Sequence, residues 1–408
     1  MIKLPTAKEY ILGLQHVLAM FGSTVLVPFL TGLDTSIALL CAGLGTLIFH
    51  IITKGMVPVF LGSSFAFISA IILVLKQYGI PELKGGIIVA GLIYILLAGF
   101  IKIYGSAKIK KLFPPIVLGP IIIAIGLKLS PVALAMSGYK ADGSINYTSI
   151  LIASITLIVM LGFSFLQRSF FRLMPIIMAM LVGYIFTIIL GLVDFTPIIN
   201  APWFGYSQHS LDAIFTLPKF NLTAILVIAP IALVTFIEHM GDIQTNGAVV
   251  GKDFVKNPGL HRTVIGDGLA TLLAGFLGGP ANTTYGENTG VLAVTRIYDP
   301  RLLRIAAIMS ILLSMLGKVS AIIQNLPQAI MGGISLVLFG LISSMGIKVI
   351  VQNHVDFNNY KNLVIPAIII ITGVFIDTIT ITPTVQLSGL FIATILGITL
   401  NKILSDKL

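Results

Sequence analysis

The sequence predicts an all-α integral membrane protein whose 14 membrane-crossing segments form two inverted seven-helix repeats, with short paired strands interrupting segments 3 and 10. Three observations carry this reading. The 408 residues are 57% hydrophobic and 10% charged, with a mean hydropathy of +1.05, more apolar surface than a soluble core could hide. Apolar runs of about 20 residues, the length of a bilayer-spanning helix, recur along the whole chain. Polar, glycine-bearing breaks fall at corresponding places in the two halves.

Taken in order, segment 1 lies near 9–30 and carries Gln15 and His16, and segment 2, near 35–53, holds the lone Cys41. Segment 3, near 58–75, contains Gly62-Ser63-Ser64-Phe65-Ala66-Phe67, an irregular opening for an apolar helix. Segments 4 to 7 lie near 86–104, 114–135, 149–166 and 174–193. Segment 8, near 222–247, carries Glu238, His239 and Asp242, and segment 9, near 260–278, carries Asp267. Segment 10, near 281–297, opens on Gly278-Gly279-Pro280-Ala281-Asn282-Thr283-Thr284-Tyr285-Gly286, which is unsuited to regular helix. Segments 11 to 14 lie near 302–318, 327–345, 362–379 and 386–403.

The halves echo each other. Phe113-Pro114-Pro115-Ile116-Val117-Leu118-Gly119 opens segment 5 and Leu326-Pro327-Gln328-Ala329-Ile330-Met331-Gly332 opens segment 12, sharing Pro and Gly at an offset of 213. Leu14-Gln15-His16-Val17 in segment 1 resembles Ile237-Glu238-His239-Met240 in segment 8. An odd number of crossings per repeat forces the repeats to be inverted, and inverted repeats with interrupted helices point to a secondary transporter with a midplane site.

Cationic residues set the orientation. With a cytoplasmic N-terminus the inner set is Lys3, Lys8, Lys54, Lys102, Lys108, Lys110, Lys111, Arg168, Arg172, Lys252, Lys256, Arg262, Arg296, Arg301, Arg304, Lys348, Lys361, Lys402 and Lys407. Lys76, Lys84, Lys128, Lys140, Lys219 and Lys318 are left outside, a split of 19 to 6 among 25. Both termini are therefore expected in the cytoplasm, and the polar start of the chain is read as uncleaved. The net charge of +10 is scattered between apolar runs and forms no basic face, so nucleic acid is not an expected partner. One cysteine excludes disulfides and thiolate metal clusters, and no His/Cys/acid spacing suggests a metal site. Nucleophile elbow, phosphate loop and HExxH motifs are missing as well, so the chain is not expected to be an enzyme.

Of the 15 acidic residues, eleven fall in loops, termini or helix ends; Glu238, Asp242, Asp267 and Glu287 do not. An acid at such depth costs roughly 2.5–3.5 kcal/mol on insertion scales and is rare unless it meets a cavity, a partner or a substrate. Glu238 and Asp242 are spaced i, i+4 on one helix face, where two like charges in low dielectric cannot both ionise cheaply. Such a pair suits proton coupling, or else a hydrogen-bonded structural cluster with His16 or His239. Asp267 reads equally as functional or as an acid near the membrane interface. Gln15 and His16 read as bracing segment 1 rather than touching substrate.

Glu287 follows the irregular stretch of segment 10. Extended backbone at membrane depth must be buried in protein or line a cavity, and pairing with the Gly62-Ser63-Ser64-Phe65 stretch would satisfy it. Each strand would then lead into a half-helix whose N-terminus offers free N–H groups. A planar imide such as uracil alternates ring N–H donors with carbonyl acceptors and fits such a set of carboxylates and backbone N–H groups; an ion would need a ring of oxygens.

Glu287-Asn288-x-Gly290-x4-Thr295-Arg296 matches the signature of the nucleobase/ascorbate transporter family, Gln/Glu/Pro-Asn-x-Gly-x4-Thr-Arg/Lys/Gly. Gly13-Leu14-Gln15-His16 resembles that family's first-helix motif. Leu61-Gly62-Ser63-Ser64-Phe65-Ala66-Phe67, Thr196-Pro197-Ile198-Ile199-Asn200-Ala201, Pro258-Gly259-Leu260-His261-Arg262 and Asn282-Thr283-Thr284-Tyr285-Gly286-Glu287-Asn288 are similar to its bacterial uracil permeases. The resemblance spans nearly the whole chain.

It implies a 7+7 inverted-repeat fold with antiparallel strands in helices 3 and 10. A core domain (1–112 and 221–320) would move against a gate domain (113–220 and 321–408), and the protein would form a homodimer through the gates in the bacterial inner membrane, among lipid. Glu238 and Glu287 would bind the base through its ring N–H groups, with backbone at Phe65 and Gly286, while Ser23, Tyr285 and Phe339 line the pocket. Ser23 stands where the best-matching permeases carry Ala, and Phe339 where they carry Tyr. Asn288 would support from behind, as would Gln15, His16 and Asp267. Glu238 and Asp242 would carry the coupling proton, with no other cofactor. Asp242 stands where uracil permeases typically carry His and purine transporters carry Asp, and Asp267 resembles an acid of helix 9 in the xanthine transporters. The implied function is uracil import by proton symport, the alternatives being a xanthine or other purine symporter and, remotely, an anion channel or exchanger of related fold. Glu287 favours uracil, since an ionised carboxylate only accepts hydrogen bonds whereas the Gln of purine carriers also donates.

Overall fold

The 14 predicted segments all form, in the expected order, around a pair of three-residue strands at the centre of the molecule. The computed structural model describes residues 6–105, 114–140, 142–166, 174–382 and 385–404. Lys3, Lys108, Lys110, Lys111, Arg168, Arg172 and Lys407 of the predicted inner set, and Phe113 of the segment 5 motif, lie outside the described residues.

Segments 1 and 2 are α1 (Ala7–Thr31) and α2 (Thr35–Ile52). A capping box of Thr6 with Glu9 starts the first, and the Asp34 side chain accepts from Ile37 N–H to start the second. Segment 3 is β1 (Leu61–Ser63), a 3-10 turn (Phe65–Phe67) and α3 (Ile68–Gln77), and segment 4 is α4 (Ile80–Tyr104). Helix α4 begins six residues before the predicted 86, because Pro81 fits the first turn of a helix. Segments 5 to 7 are α5 (Pro115–Met136), α6 (Tyr147–Phe165) and α7 (Pro175–Ile189). Two short helices not foreseen, α8 (Thr196–Asn200) and α9 (Gln208–Phe215), lead to segment 8.

Segment 8 is broken at Ala229-Pro230 into α10 (Leu222–Ile228) and α11 (Ile231–Val250). Segment 9 is α12 (Leu260–Leu277), and segment 10 is β2 (Asn282–Thr284) with α13 (Gly286–Thr295). Segment 11 divides into α14 (Pro300–Ser314) and α15 (Gly317–Gln324), bent by 81°. Segment 12, α16 (Gln328–Gln352), runs seven residues past its expected end. Segments 13 and 14 are α17 (Lys361–Phe375) and α18 (Gly389–Ile403), shortened by an unforeseen antiparallel hairpin of β3 (Thr378–Thr382) and β4 (Val385–Ser388). The expected start of segment 14 at 386 is thus strand. Alternating Thr and Ile along Thr378–Thr382 favour a strand there, although a hydropathy window reads them as membrane helix.

Strands β1 and β2 pair antiparallel, with Leu61 opposite Thr284, Gly62 opposite Thr283 and Ser63 opposite Asn282. Three-residue strands at membrane depth need partners on their outer edges too, and two threonines supply them. Thr46 Oγ1 on α2 accepts from Leu61 N–H at 2.9 Å, and Thr271 Oγ1 on α12 accepts from Asn282 N–H at 3.3 Å. Each hydroxyl in turn approaches the carbonyl of the residue it serves, at 3.4 and 3.1 Å. The two arrangements are counterparts, each threonine lying on the helix that precedes its strand.

The same two-fold relation governs α5 against α16. A Cβ on Gly119 would meet Gly346 O at 2.8 Å, and at the other end of the contact one on Gly332 would meet Ser137 N at 2.6 Å. Gly119 and Gly332 are the glycines matched at the offset of 213. Close backbone approach through small residues is how helices associate where no hydrophobic force drives them. Helix α4 meets α12 in the same way, at Gly91 and Gly268.

Candidate functional site

Where the two strands end, the backbone changes from ladder to helix on both sides. Ser64 N–H donates to Ala281 O at 2.9 Å and Tyr285 N–H to Phe60 O at 3.0 Å, and these bonds extend the ladder. The next residues, Phe65 and Gly286, open the helical turns, and neither turn has a side-chain cap. The first N–H groups of both half-helices therefore face the site, with their positive dipole ends.

Three carboxylates stand around this point. Glu238 and Asp242 lie on successive turns of α11 and Glu287 in the first turn of α13, all three half-buried. Glu238 lies within electrostatic reach of Glu287, and Asp242 of both. The ion pairs among the described residues join Lys128 to Asp377 and Lys256 to Asp253, while His239 stands near Asp267, so none neutralises these three acids. No group of three His, Cys, Asp or Glu side chains placed to hold a metal ion occurs among the described residues.

Neutral donors hold them instead. Ser23 Oγ, fully buried on α1, donates to Glu287 Oε1 at 2.6 Å, and Thr284 Oγ1 donates to Asp242 Oδ2 at 2.9 Å. Tyr285 is 3% exposed and sends its hydroxyl to Ser63 O at 2.9 Å, so it braces β1. Its ring fills the place a side chain at residue 62 would need, which requires glycine there. Phe65 and Phe339 meet edge to face at 6.4 Å, joining segment 3 to segment 12 beside the pocket. Asn288 is fully buried; its Nδ2 donates to His16 O at 3.0 Å and lies 3.2 Å from His16 Nδ1. Gln15 leaves Oε1 buried without a partner among the described residues. Asp267 is fully buried behind α11, 3.4 Å from His239 Nδ1.

Two participants were not singled out from the sequence. Thr284 is the donor to Asp242, and Asn246 Nδ2 donates to Pro58 O at 3.0 Å and Thr289 Oγ1 at 3.1 Å, tying α11 to α13. Asn246 continues the i, i+4 series of Glu238 and Asp242, a spacing the sequence displays. Beside the acids, Gly286, Gly290 and Ala293 on α13 and Gly241, Thr245 and Ala248 on α11 are exposed. A separate cavity of 730 Å³ beside Gly55, Lys252, Lys256 and Tyr298 holds none of these site residues.

Comparison with known proteins gives a consistent picture. The Permease family model Xan_ur_permease matches residues 7–382. The chain is 41% identical over 404 residues to the uracil permease of Bacillus caldolyticus, covering 99% of this chain and 94% of that one. It is 43% identical over 402 residues to the uracil permease of Escherichia coli K12, covering 98% and 92%. To the putative pyrimidine permease RutG of Escherichia coli K12 it is 37% identical over 416 residues, covering 100% and 91%. Among solved structures, the transmembrane domain of the cyanobacterial bicarbonate transporter BicA superposes with a TM-score of 0.69 at 15% identity, covering 97% of this chain and 98% of that one. The murine anion transporter Slc26a9 in its inward-facing state gives 0.72 at 10% identity, covering 99% and 69%. These two share the fold.

Proposed function

The chain belongs to the nucleobase/ascorbate transporter family of multi-pass permeases, and we propose that it imports uracil by proton symport. The observation that carries this reading is the pair Glu238 and Glu287 flanking the uncapped half-helix N-terminus at Gly286. Uracil offers ring N–H groups to the carboxylates and carbonyls to the N–H groups at Phe65 and Gly286. The near full-length identity to uracil permeases supports the same choice of base.

The uncompensated acids support proton coupling. Glu238 and Asp242, one turn apart and without a cationic partner among the described residues, cannot both be charged at low cost. A proton shared between Glu238 and Asp242 makes the pocket fit for a neutral base, and its departure after the base leaves weakens rebinding. The exposed residues on α11 and α13 run toward Val250 and Thr295, beside Lys252 and Arg296, which supports an opening to the cytoplasm. Alternating access arises when a core of segments 1–4 and 8–11 moves against a gate of segments 5–7 and 12–14 in a homodimer joined through its gates, in the bacterial inner membrane.

The second reading, a xanthine carrier, is favoured by Asp242. Thermal stabilisation of the purified protein across a panel of free bases separates the two, since a ligand bound only by the folded state raises apparent stability. Uracil is expected to stabilise at concentrations where xanthine does not; the reverse order overturns uracil in favour of the purine.

A further inference from the structure

The connection between α7 and α10 is tied down along its length. Lys318 Nζ donates to the carbonyls of Ile198 and Ile199 at 2.8 Å each, and Gly205 N–H donates to Met315 O at 2.9 Å. Tyr206 Oη lies 3.0 Å from Ser314 Oγ, and Ser210 Oγ donates to Asp34 Oδ2 at 2.8 Å. Lys84, 1% exposed, donates to the carbonyls of Ala213, Ile214 and Thr216 at the end of α9. Lysines at these two helix ends satisfy carbonyls that have no helical partner.

A segment fixed by so many polar contacts would, in water, turn its apolar side chains inward. It does the opposite. Phe195, Ile199, Trp203 and Phe204 are 43%, 69%, 70% and 78% exposed. Phe195, just before α8, and Ile199 within it are four residues apart, and Trp203 follows four residues on. Ile189 and Leu192, at the end of membrane-spanning α7, are likewise exposed, so the patch continues an apolar surface already in lipid. Lys318 Nζ stands 5.4 Å from the centre of the Trp203 ring, pairing an aromatic with a cation as at a headgroup boundary.

We propose that residues 195–204 form an interfacial anchor in which Trp203 and Phe204 enter the boundary between phospholipid headgroups and acyl chains, with Lys318 at the phosphates. Water is a poor occupant, since each exposed Å² of apolar surface costs about 25 cal/mol. Continuity with α7 and the cation beside the aromatic ring both favour phospholipid over a second copy of the chain. The tied strap then holds the outer ends of α2, α4 and α15 at a fixed depth. This inference is independent of which base is carried.

Trp203 is the only tryptophan in the chain, so the intact protein reports on the anchor directly. In vesicles of phosphatidylcholine and phosphatidylglycerol, its emission is expected to be blue-shifted and largely quenched when the lipids are brominated near the top of the acyl chain. Bromine near the chain end should quench less, and aqueous iodide little. Strong quenching by iodide with none by brominated lipid would place Trp203 in water. Shielding from both would place it under another protein surface. Either result overturns the proposal.

Discussion

At Glu287 a carboxylate is held by one short hydrogen bond from Ser23, and that bond leaves the second oxygen to do other work. Glu287→Gln is expected to weaken uracil binding about tenfold or more, about 1.4 kcal/mol, with the fold intact. Calorimetric binding to the purified variant checks this, and a change within about threefold contradicts direct contact. Asp242 has a different position: it accepts from Thr284, on the strand itself, so its charge is linked to the central ladder. Asp242→Asn should reduce proton-driven accumulation more than equilibrium binding, and equal losses would make it a contact residue instead. The acids were legible in the sequence because burial of a carboxylate is costly enough to demand a reason. Their donors were harder to see. A serine or threonine in a membrane helix reads the same whether it bonds its own preceding turn or reaches across to an acid, and Ser23 was placed only through a family resemblance.

The strands show how far local sequence determines an element. Glycine, asparagine and threonine at 278–286 and glycine and serine at 62–64 marked where helix would fail, and pairing between them followed from the cost of unmatched backbone in lipid. Their outer edges were not legible, because Thr46 also bonds Ala42 O at 2.7 Å as any helical threonine would. Thr46→Val or Thr271→Val leaves a buried N–H without its acceptor, which should cost about 1–3 kcal/mol of stability and lower the midpoint of thermal unfolding. Unchanged stability in both variants would show that the ladder alone suffices. The hairpin of β3 with β4 was overlooked for a different reason. Threonine, isoleucine and valine satisfy a hydropathy window as well as they satisfy a strand, so composition concealed a period of two that the order of residues displays. The break at Pro230 was hidden in the same manner by uninterrupted hydrophobicity on both sides.

For the molecule as a whole, the repeat relation was visible in a few matched motifs, and the contacts of Gly119 and Gly332 give it physical form. The charge split is sharper than a bare count implies. Of the six cations that a cytoplasmic N-terminus would leave outside, Lys84, Lys128 and Lys318 are all bound to carbonyls at or near helix ends, so packing accounts for their position. If the exposed stripe on α13 lines a cytoplasmic path, Gly290→Cys should react with a membrane-impermeant thiol reagent from the cytoplasmic side alone. A Cβ there meets nothing within 4 Å, and the native Cys41 is buried, so the label reports the new thiol. Reaction from the opposite side would reverse the orientation. The central claim, that uracil and a proton enter together, is tested most directly by uptake of labelled uracil into proteoliposomes holding an imposed pH gradient. Acid outside should drive accumulation above equilibrium, and a protonophore should abolish it; uptake indifferent to the gradient but dependent on sodium would contradict the account.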